Sequence, residues 1–379
     1  MKIGHLTFYR NYNYGSILQC YALQQFFLSK GIEIEAIVPK SDLSWKINSI
    51  IRKVSFVFSC LRYPEQYKCY KKFQKESQRS CLSLELNTRD KMDRFVEENI
   101  REREASFSEL KNSLNKEYSC YIAGSDQVWS VAGPSLNPFF FLRFSPNNKK
   151  YSYAASMGAD SLPAWHKKQL YRYVSKFAGV SIREITALDF FKDTDKIVPH
   201  VNMDPALLQD KYFWKNEEII PDYLQNGNYL LLYFLNEPTD FALDHIKNIV
   251  RNKPNLKLYS FPYVFPKVDE ELPNVTHISL SPREFLGAID NSSLLCTDSF
   301  HGVIFALNFG VKFFNYRRAY KTISQNGRLN SLFERYRLFG ATPTDVNTLT
   351  PVHYDIDKLL AEDRKESTSY LEKIIESIK

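Results

Sequence analysis

Glycine is scarce in this chain, with 13 residues in 379, and nowhere are the glycines grouped as a dinucleotide or triphosphate loop requires. That excludes a glycine-rich phosphate cradle as the organising motif. The six cysteines (Cys20, Cys60, Cys69, Cys81, Cys120, Cys296) show no short paired spacing of the zinc or redox type, which predicts reduced thiols, no disulfide and no metal site. Long apolar runs are missing too. None approaches the roughly 18 residues that a membrane span needs, and the N-terminus reads directly into a strand and not into a signal peptide. Repeats and low-complexity stretches are absent. The expectation is a soluble, cytoplasmic protein.

What the chain does have is enough apolar material, 44% of residues, to bury two cores of ordinary domain size. Its net charge of +7, with 24 Tyr and 28 Phe, suits phosphorylated substrates or an anionic membrane surface. Nucleic acid fits the same balance, so charge alone decides nothing.

The patterning opens as βαβ: a strand over residues 3–8, a helix over 16–30 stopped by Gly31, and a second strand over 32–38. Ile17, Leu18, Tyr21, Ala22 and Leu28 give the helix an apolar face for a parallel sheet. Residues 41–116 read as a helical, basic, tyrosine-rich insertion whose charged runs, 68–75 and 101–104, are either a solvated face or a contact with an anionic surface. Strands resume at 118–123, 150–155 and 179–182, each ending in a polar or glycine loop. Residues 204–208 and 216–228 read as a linker. A second α/β set follows, with strands at 229–235, 257–260, 293–296 and 311–315 and helices at 239–251 and 282–289. The tail, 355–378, is helical and is expected to pack back on the first domain.

The most informative segment is Thr297-Asp298-Ser299-Phe300-His301-Gly302-Val303-Ile304. It places His301 at the mouth of a helix that runs to Phe309 and stops at Gly310, directly after a short apolar strand. Asp298 or Ser299 can cap that helix. Its free N–H groups and dipole favour a phosphate or carboxylate and hold the imidazole neutral. His301 is thus positioned for proton transfer or anion binding; a plain capping histidine is the alternative. The loop over residues 9–15 is a second candidate, in which Gly15 would let the backbone approach a ligand. A plain turn is the other reading.

These patterns predict an α/β fold of two Rossmann-like domains facing a cleft (GT-B-like), with a helical insertion in the first domain. The first domain would span residues 1–200 and the second 201–379. In such sheets ligands sit beyond the carboxyl ends of the strands, and the fold alone implies only group transfer to sugars.

Five blocks then occur in register: Lys2-Ile3-Gly4 through Asn13-Tyr14-Gly15-Ser16-Ile17-Leu18-Gln19, Gly124-Ser125-Asp126-Gln127-Val128-Trp129, Tyr153-Ala154-Ala155-Ser156, Ser181-Ile182-Arg183-Glu184, and Thr297-Asp298-Ser299-Phe300-His301-Gly302. In this order, across residues 1–340, the chain resembles the polysaccharide pyruvyl transferase family. The resemblance implies transfer of pyruvate from phosphoenolpyruvate to two hydroxyls of one sugar, giving a cyclic ketal on a capsular, cell-wall or exopolysaccharide precursor.

That chemistry needs a proton donor and anion-binding groups. The resemblance assigns proton transfer to His301 and the donor's carboxylate or phosphate to Arg183, whose planar fork suits either. An ion pair of Arg183 with Glu184 is the structural alternative. Asp126 is a candidate acceptor of a sugar hydroxyl proton, or else a turn-stabilising aspartate. Ser299, Gly302, Asn13, Gly15 and Ser125 complete the expected donor site, and Trp129 either stacks on a sugar or belongs to the core. Several family members carry an arginine two residues before the histidine, where this chain has Ser299; Arg317, Arg318 or Lys321 could replace it.

The implied partners are phosphoenolpyruvate and a saccharide acceptor, with a lipid-diphosphate carrier and peripheral contact with the inner face of the membrane as extensions of the basic charge. No cofactor and no nucleic acid are implied. A glycosyltransferase using a nucleotide-sugar donor in the same cleft is the competing function, and a noncatalytic carbohydrate-binding protein is a third.

Overall fold

The computed structural model describes residues 1–79, 84–272, 274–318 and 326–379. The chain opens with β1 (Lys2–Leu6), α1 (Tyr14–Ser29) and β2 (Glu33–Lys40), the expected βαβ unit. Three helices follow: α2 (Leu43–Arg62), α3 (Pro64–Arg79) and α4 (Leu86–Asn99). The chain then rejoins the sheet as β3 (Glu102–Ser106) before the short α5 (Phe107–Lys111). The insertion read as helical over 41–116 therefore contains a strand. Its Glu-Arg-Glu sequence hides it because β3 is an edge strand, where charge is tolerated: Glu102 binds Arg10, and Arg103 pairs with Glu117 at 3.0 Å.

With β4 (Cys120–Ala123) and β5 (Lys150–Ser152), the first sheet is five-stranded and parallel, in the order β3-β2-β1-β4-β5. After α6 (Ala164–Val174), β6 (Ser181–Ile182) and β7 (His200–Val201) form a parallel ladder, continuous with β5 through bridges at Gly179 and Ile182. The chain on both sides of residue 200 thus belongs to one ladder.

Residues 204–208, read as linker, are instead a buried helical turn, α7 (Pro205–Leu208), followed by α8 (Lys211–Glu217). Asp204 caps α7 by accepting from Ala206 N at 3.0 Å, and Pro205 supplies a pre-set first position that needs no N–H partner. Trp214, fully buried, donates its indole N–H to Ala206 O at 2.9 Å.

The second set comprises β8 (Tyr229–Phe234), α9 (Asp240–Asn252), β9 (Lys257–Pro262), α10 (Pro266–Glu271), β10 (Val275–His277), α11 (Pro282–Asp290), β11 (Leu294–Thr297), α12 (Phe300–Phe309) and β12 (Phe313–Asn315). Its strands are parallel in the order β10-β9-β8-β11-β12, the first sheet's order repeated. β8 is apolar throughout and wholly buried, as a central strand covered on both faces must be. α12 stops at Gly310, whose φ of 76° is the left-handed conformation of a C-terminal cap. Both sheets are Rossmann-like, with the order reversing between β1 and β4 and between β8 and β11.

A single apolar core runs from one face of the first sheet, across α1, α7, α11 and α12, to one face of the second. Separate cores cover the outer faces. This explains why α1 is buried on nearly every side and not on one stripe: the sheet takes one side and the second domain the other. Tyr14, at its start, stacks on Phe285 with centroids 4.7 Å apart and donates its hydroxyl to Leu280 O at 2.8 Å.

After α13 (Gly327–Arg335), the terminal helix α14 (Asp357–Ser377) crosses back. Tyr370 donates to Ser152 O of β5 at 3.0 Å, Ser377 bonds Tyr151 at 2.9 Å, and Arg364 donates to Leu207 O and to Asn308 Oδ1 of α12. Among the described residues no helix is long and apolar enough to cross a membrane.

Candidate functional site

The carboxyl ends of five parallel strands supply the site, and three of them meet at the carboxylate of a fourth. The loop after β1 brings Asn13 and Gly15, β4 leads to Ser125 and Asp126, β6 to Arg183, β7 to Asp204 and β11 to His301. Asp204 Oδ2 accepts from Ser125 Oγ at 2.8 Å and from Arg183 Nη1 at 2.8 Å, and lies 3.8 Å from His301 Nε2. Asp204 carries no motif signal beyond the Asp-Pro cap signature. Its partners lie 79, 21 and 97 residues away, so only the fold reveals its position.

Arg183 is held on three sides. Besides Asp204 it donates Nε to Glu184 at 3.2 Å, and its guanidinium lies 4.1 Å from the Phe300 ring centroid. Burial opposes its charge, but Glu184, Asp204 and Asp126 outweigh that and hold it protonated. The ion pair with Glu184 is therefore present, and Nη2 still has no hydrogen-bond partner among the described residues.

His301 is buried, and its Nε2 likewise lacks a hydrogen-bond partner. Burial lowers its pKa below the ordinary histidine value; Asp204 and Asp126 pull it up, while Arg183 and Arg328 reinforce the lowering. Asp126, in a left-handed backbone conformation (φ 63°), accepts from Ser16 Oγ at 2.6 Å and from Gln127 N at 2.9 Å. Burial would raise its pKa, but His301, Arg183 and the Ser16 hydroxyl leave it below the usual carboxylate value. A pocket with room for about one water, about 20 Å³, lies beside the cluster, lined by Arg183, Asp204, Phe300 and Arg328 among others but not by His301 or Asp126.

The remaining expected donor residues do local work. Asn13 caps α1, its side chain accepting from Ser16 N at 3.2 Å. Gly15 approaches no open space: a β-carbon on it would stand 1.9 Å from Cγ of His301, so it makes room for the imidazole and not for a ligand. Ser299 caps α12 through Gly302 N at 3.3 Å, which leaves Asp298 to accept from Leu235 N and Asn236 N and to pair with Arg318 at 2.9 Å. Gly302 faces Thr297 Oγ1 and Tyr233 at 2.7 and 2.9 Å from its would-be β-carbon, a packing requirement inside the domain. Trp129 is core, stacked on Phe141 with its N–H on Phe140 O. Arg317 is exposed, Arg318 is engaged by Asp298, and Lys321 lies outside the described residues. Cys20, Cys60, Cys120 and Cys296 are free thiols, Cys69 donates to Ala132 O at 3.6 Å, and Cys81 also lies outside the described residues.

Two Rossmann-like domains that meet at the carboxyl ends of their strands, over a buried His-Asp-Arg cluster, define a protein of the GT-B-like class. Solved structures agree in fold: the UDP-GlcNAc 2-epimerase of Neisseria meningitidis, bound to UDP-GlcNAc, is similar with a TM-score of 0.51 at 11% identity over 98% of this chain and 100% of that one. The S. aureus MnaA–UDP structure is similar with a TM-score of 0.50 at 12% identity over 96% and 87%. No curated protein matches the chain in sequence. The sequence profile of the polysaccharide pyruvyl transferase family matches residues 13–319, and the chain belongs to that transferase family.

Proposed function

We propose that this protein transfers pyruvate from phosphoenolpyruvate to a saccharide, forming a cyclic ketal. The observation that carries the reading, beside family membership, is the meeting of His301 and Arg183 at Asp204, with one buried nitrogen of each making no hydrogen bond among the described residues. Buried donors gain most from an anionic group that bonds them both.

In this reading carbon 3 of the enol takes a proton and carbon 2 takes two sugar oxygens in succession. Phosphate leaves from carbon 2. Of the two hydroxyl protons released, one balances the new methyl group and the other leaves with phosphate. His301 serves as the acid toward carbon 3. It is held neutral in the unliganded protein, and a dianionic phosphate beside it favours the imidazolium, so donor binding loads the proton. Arg183 orients the donor's carboxylate or phosphate. Asp126, whose pKa is held below the usual carboxylate value, supports the imidazolium and is the candidate acceptor of a sugar hydroxyl proton. Ser125, Asn13, Ser299, Gly15 and Gly302 hold these groups in place. We place the acceptor among cytoplasmic, saccharide-bearing precursors, including lipid-diphosphate-linked ones, and the division between the domains near residue 200, just beyond β7.

The test is a melting-temperature comparison of the purified protein with phosphoenolpyruvate, inorganic phosphate and nucleotide sugars, since a ligand of the native state raises the midpoint. A rise with phosphoenolpyruvate that Arg183→Ala abolishes supports pyruvyl transfer. A rise with one nucleotide sugar and none with phosphoenolpyruvate transfers the assignment to a glycosyltransferase; two of the solved structures similar in fold hold UDP-GlcNAc and UDP.

A further inference from the structure

The segment between β2 and β3 carries an apolar face that none of the three cores uses. On α2, Ile50, Val54, Val57, Phe58 and Leu61 are 61, 52, 59, 68 and 75% exposed. Their spacing puts all five within an arc of about 100° on the helix. Lys53 borders that arc on one side and Arg62 on the other, and both are exposed. The opposite side of the helix is fixed to the protein. Phe56 meets Tyr70 of α3 edge to face at 5.3 Å, and Ser59 Oγ bonds Gln66 Oε1 at 2.5 Å. Gln66 in turn donates to Pro134 O at 2.7 Å. The apolar stripe is therefore presented outward by a tethered helix and is not an unfilled part of the fold.

We propose that this face of α2 seats the protein on an anionic lipid surface, lying in the plane of the headgroups. The chemistry that selects this partner is charge. Residues 49–72 hold six cations, Arg52, Lys53, Arg62, Lys68, Lys71 and Lys72, against one carboxylate, Glu65. An apolar stripe bordered by Lys53 and Arg62 in a segment this basic is the composition of an interfacial helix, and such a segment is drawn to negatively charged headgroups. A protein partner that buried the same stripe would need a matching acidic rim, whereas an anionic bilayer supplies both requirements at once. α2 is too polar to cross the bilayer, which leaves the in-plane position. The inference does not depend on which group the enzyme transfers.

The experiment is flotation of the full chain with phosphatidylcholine vesicles and with mixed phosphatidylcholine–phosphatidylglycerol vesicles, at low and high salt, for the wild type and for Phe58→Asp/Leu61→Asp. Both positions are exposed, so the variant keeps its fold, checked by an unchanged melting temperature. Expected are flotation with the anionic vesicles only, weakening with salt, and a loss of at least 100-fold in partitioning for the variant, because each large apolar side chain removed from the interface is worth about tenfold or more. No flotation of the wild type with anionic vesicles overturns the proposal, as does flotation that the variant retains. A wild-type dimer by light scattering that the variant converts to monomer, without vesicle binding, assigns the stripe to a second copy of the chain and overturns it equally. Ligand-induced melting shifts measured on the same variant remain as in the wild type, so failure here and failure of the transfer reaction are separately visible.

Discussion

Gly15 and His301 touch across the two domains: the first helix of one domain begins so close to the imidazole of the other that a β-carbon at residue 15 would overlap its ring, 1.9 Å from Cγ and 2.2 Å from Nδ1. Gly15→Ala therefore has to displace His301 or part the domains. The expected result is a turnover reduced at least 100-fold, the scale on which a misplaced catalytic group is felt, with a loss of stability of about 1–3 kcal/mol from overpacking. Near wild-type turnover would show that the position of His301 is immaterial.

His301→Ala is expected to lower turnover by about 100-fold or more, the usual contribution of a positioned acid, while donor affinity changes little. Titrating the melting shift with phosphoenolpyruvate checks the affinity and phosphate release checks the turnover. A variant that still turns over at the wild-type rate would remove His301 from proton transfer.

Arg183 and Asp204 form a buried pair at 2.8 Å, and each has further partners. Arg183→Ala leaves Asp204 and Glu184 without the cation between them, and Asp204→Ala leaves Arg183 with Glu184 as its remaining ion-pair partner, so each should cost about 3–5 kcal/mol. The double variant should cost clearly less than their sum. Denaturant unfolding of the four proteins measures the coupling; additive losses would mean that the two charges are matched independently.

Acidification should destabilise the protein through its buried histidines. His5, on β1 and fully buried, is pushed down to about 3 by loss of hydration, and burial lowers His301 too. Both are neutral when folded and protonate more readily when unfolded. Below pH 6.5 the unfolded state therefore binds more protons. Stability is fully present above that value and falls as the pH drops toward 3, at about 1.4 kcal/mol per unit for each histidine held neutral. His5→Asn should flatten the decline measured by denaturant titration between pH 7 and 4. An unchanged slope would place the acid sensitivity elsewhere.

Much of the fold is legible because its signals are local. β8 reads from six consecutive apolar residues, and α12 from its serine cap and Gly310 stop. β3 does not, because an edge strand with one neighbour has no need of the alternation that marks a half-buried one. In the site, His301, Arg183 and Asp126 carry recognisable blocks, and they do come together. Asp204 is the residue that was illegible: before a proline it reads as a cap, which it is, while its second oxygen serves partners that the chain approaches only after folding. Gly15 and Gly302 were legible as glycines but not as to what they make room for, since that is decided by a side chain elsewhere in the fold.

The returning helix α14 has a mechanical consequence. One end is bonded to β5, its middle to the turn beyond Asp204 through Arg364, and Asp363 receives both Arg335, the last residue of α13, and Tyr336, which follows it. It acts as a clasp over the joint, so the two halves cannot swing apart as free bodies. Any widening of the joint must bend about this strap, and its rear is the natural pivot.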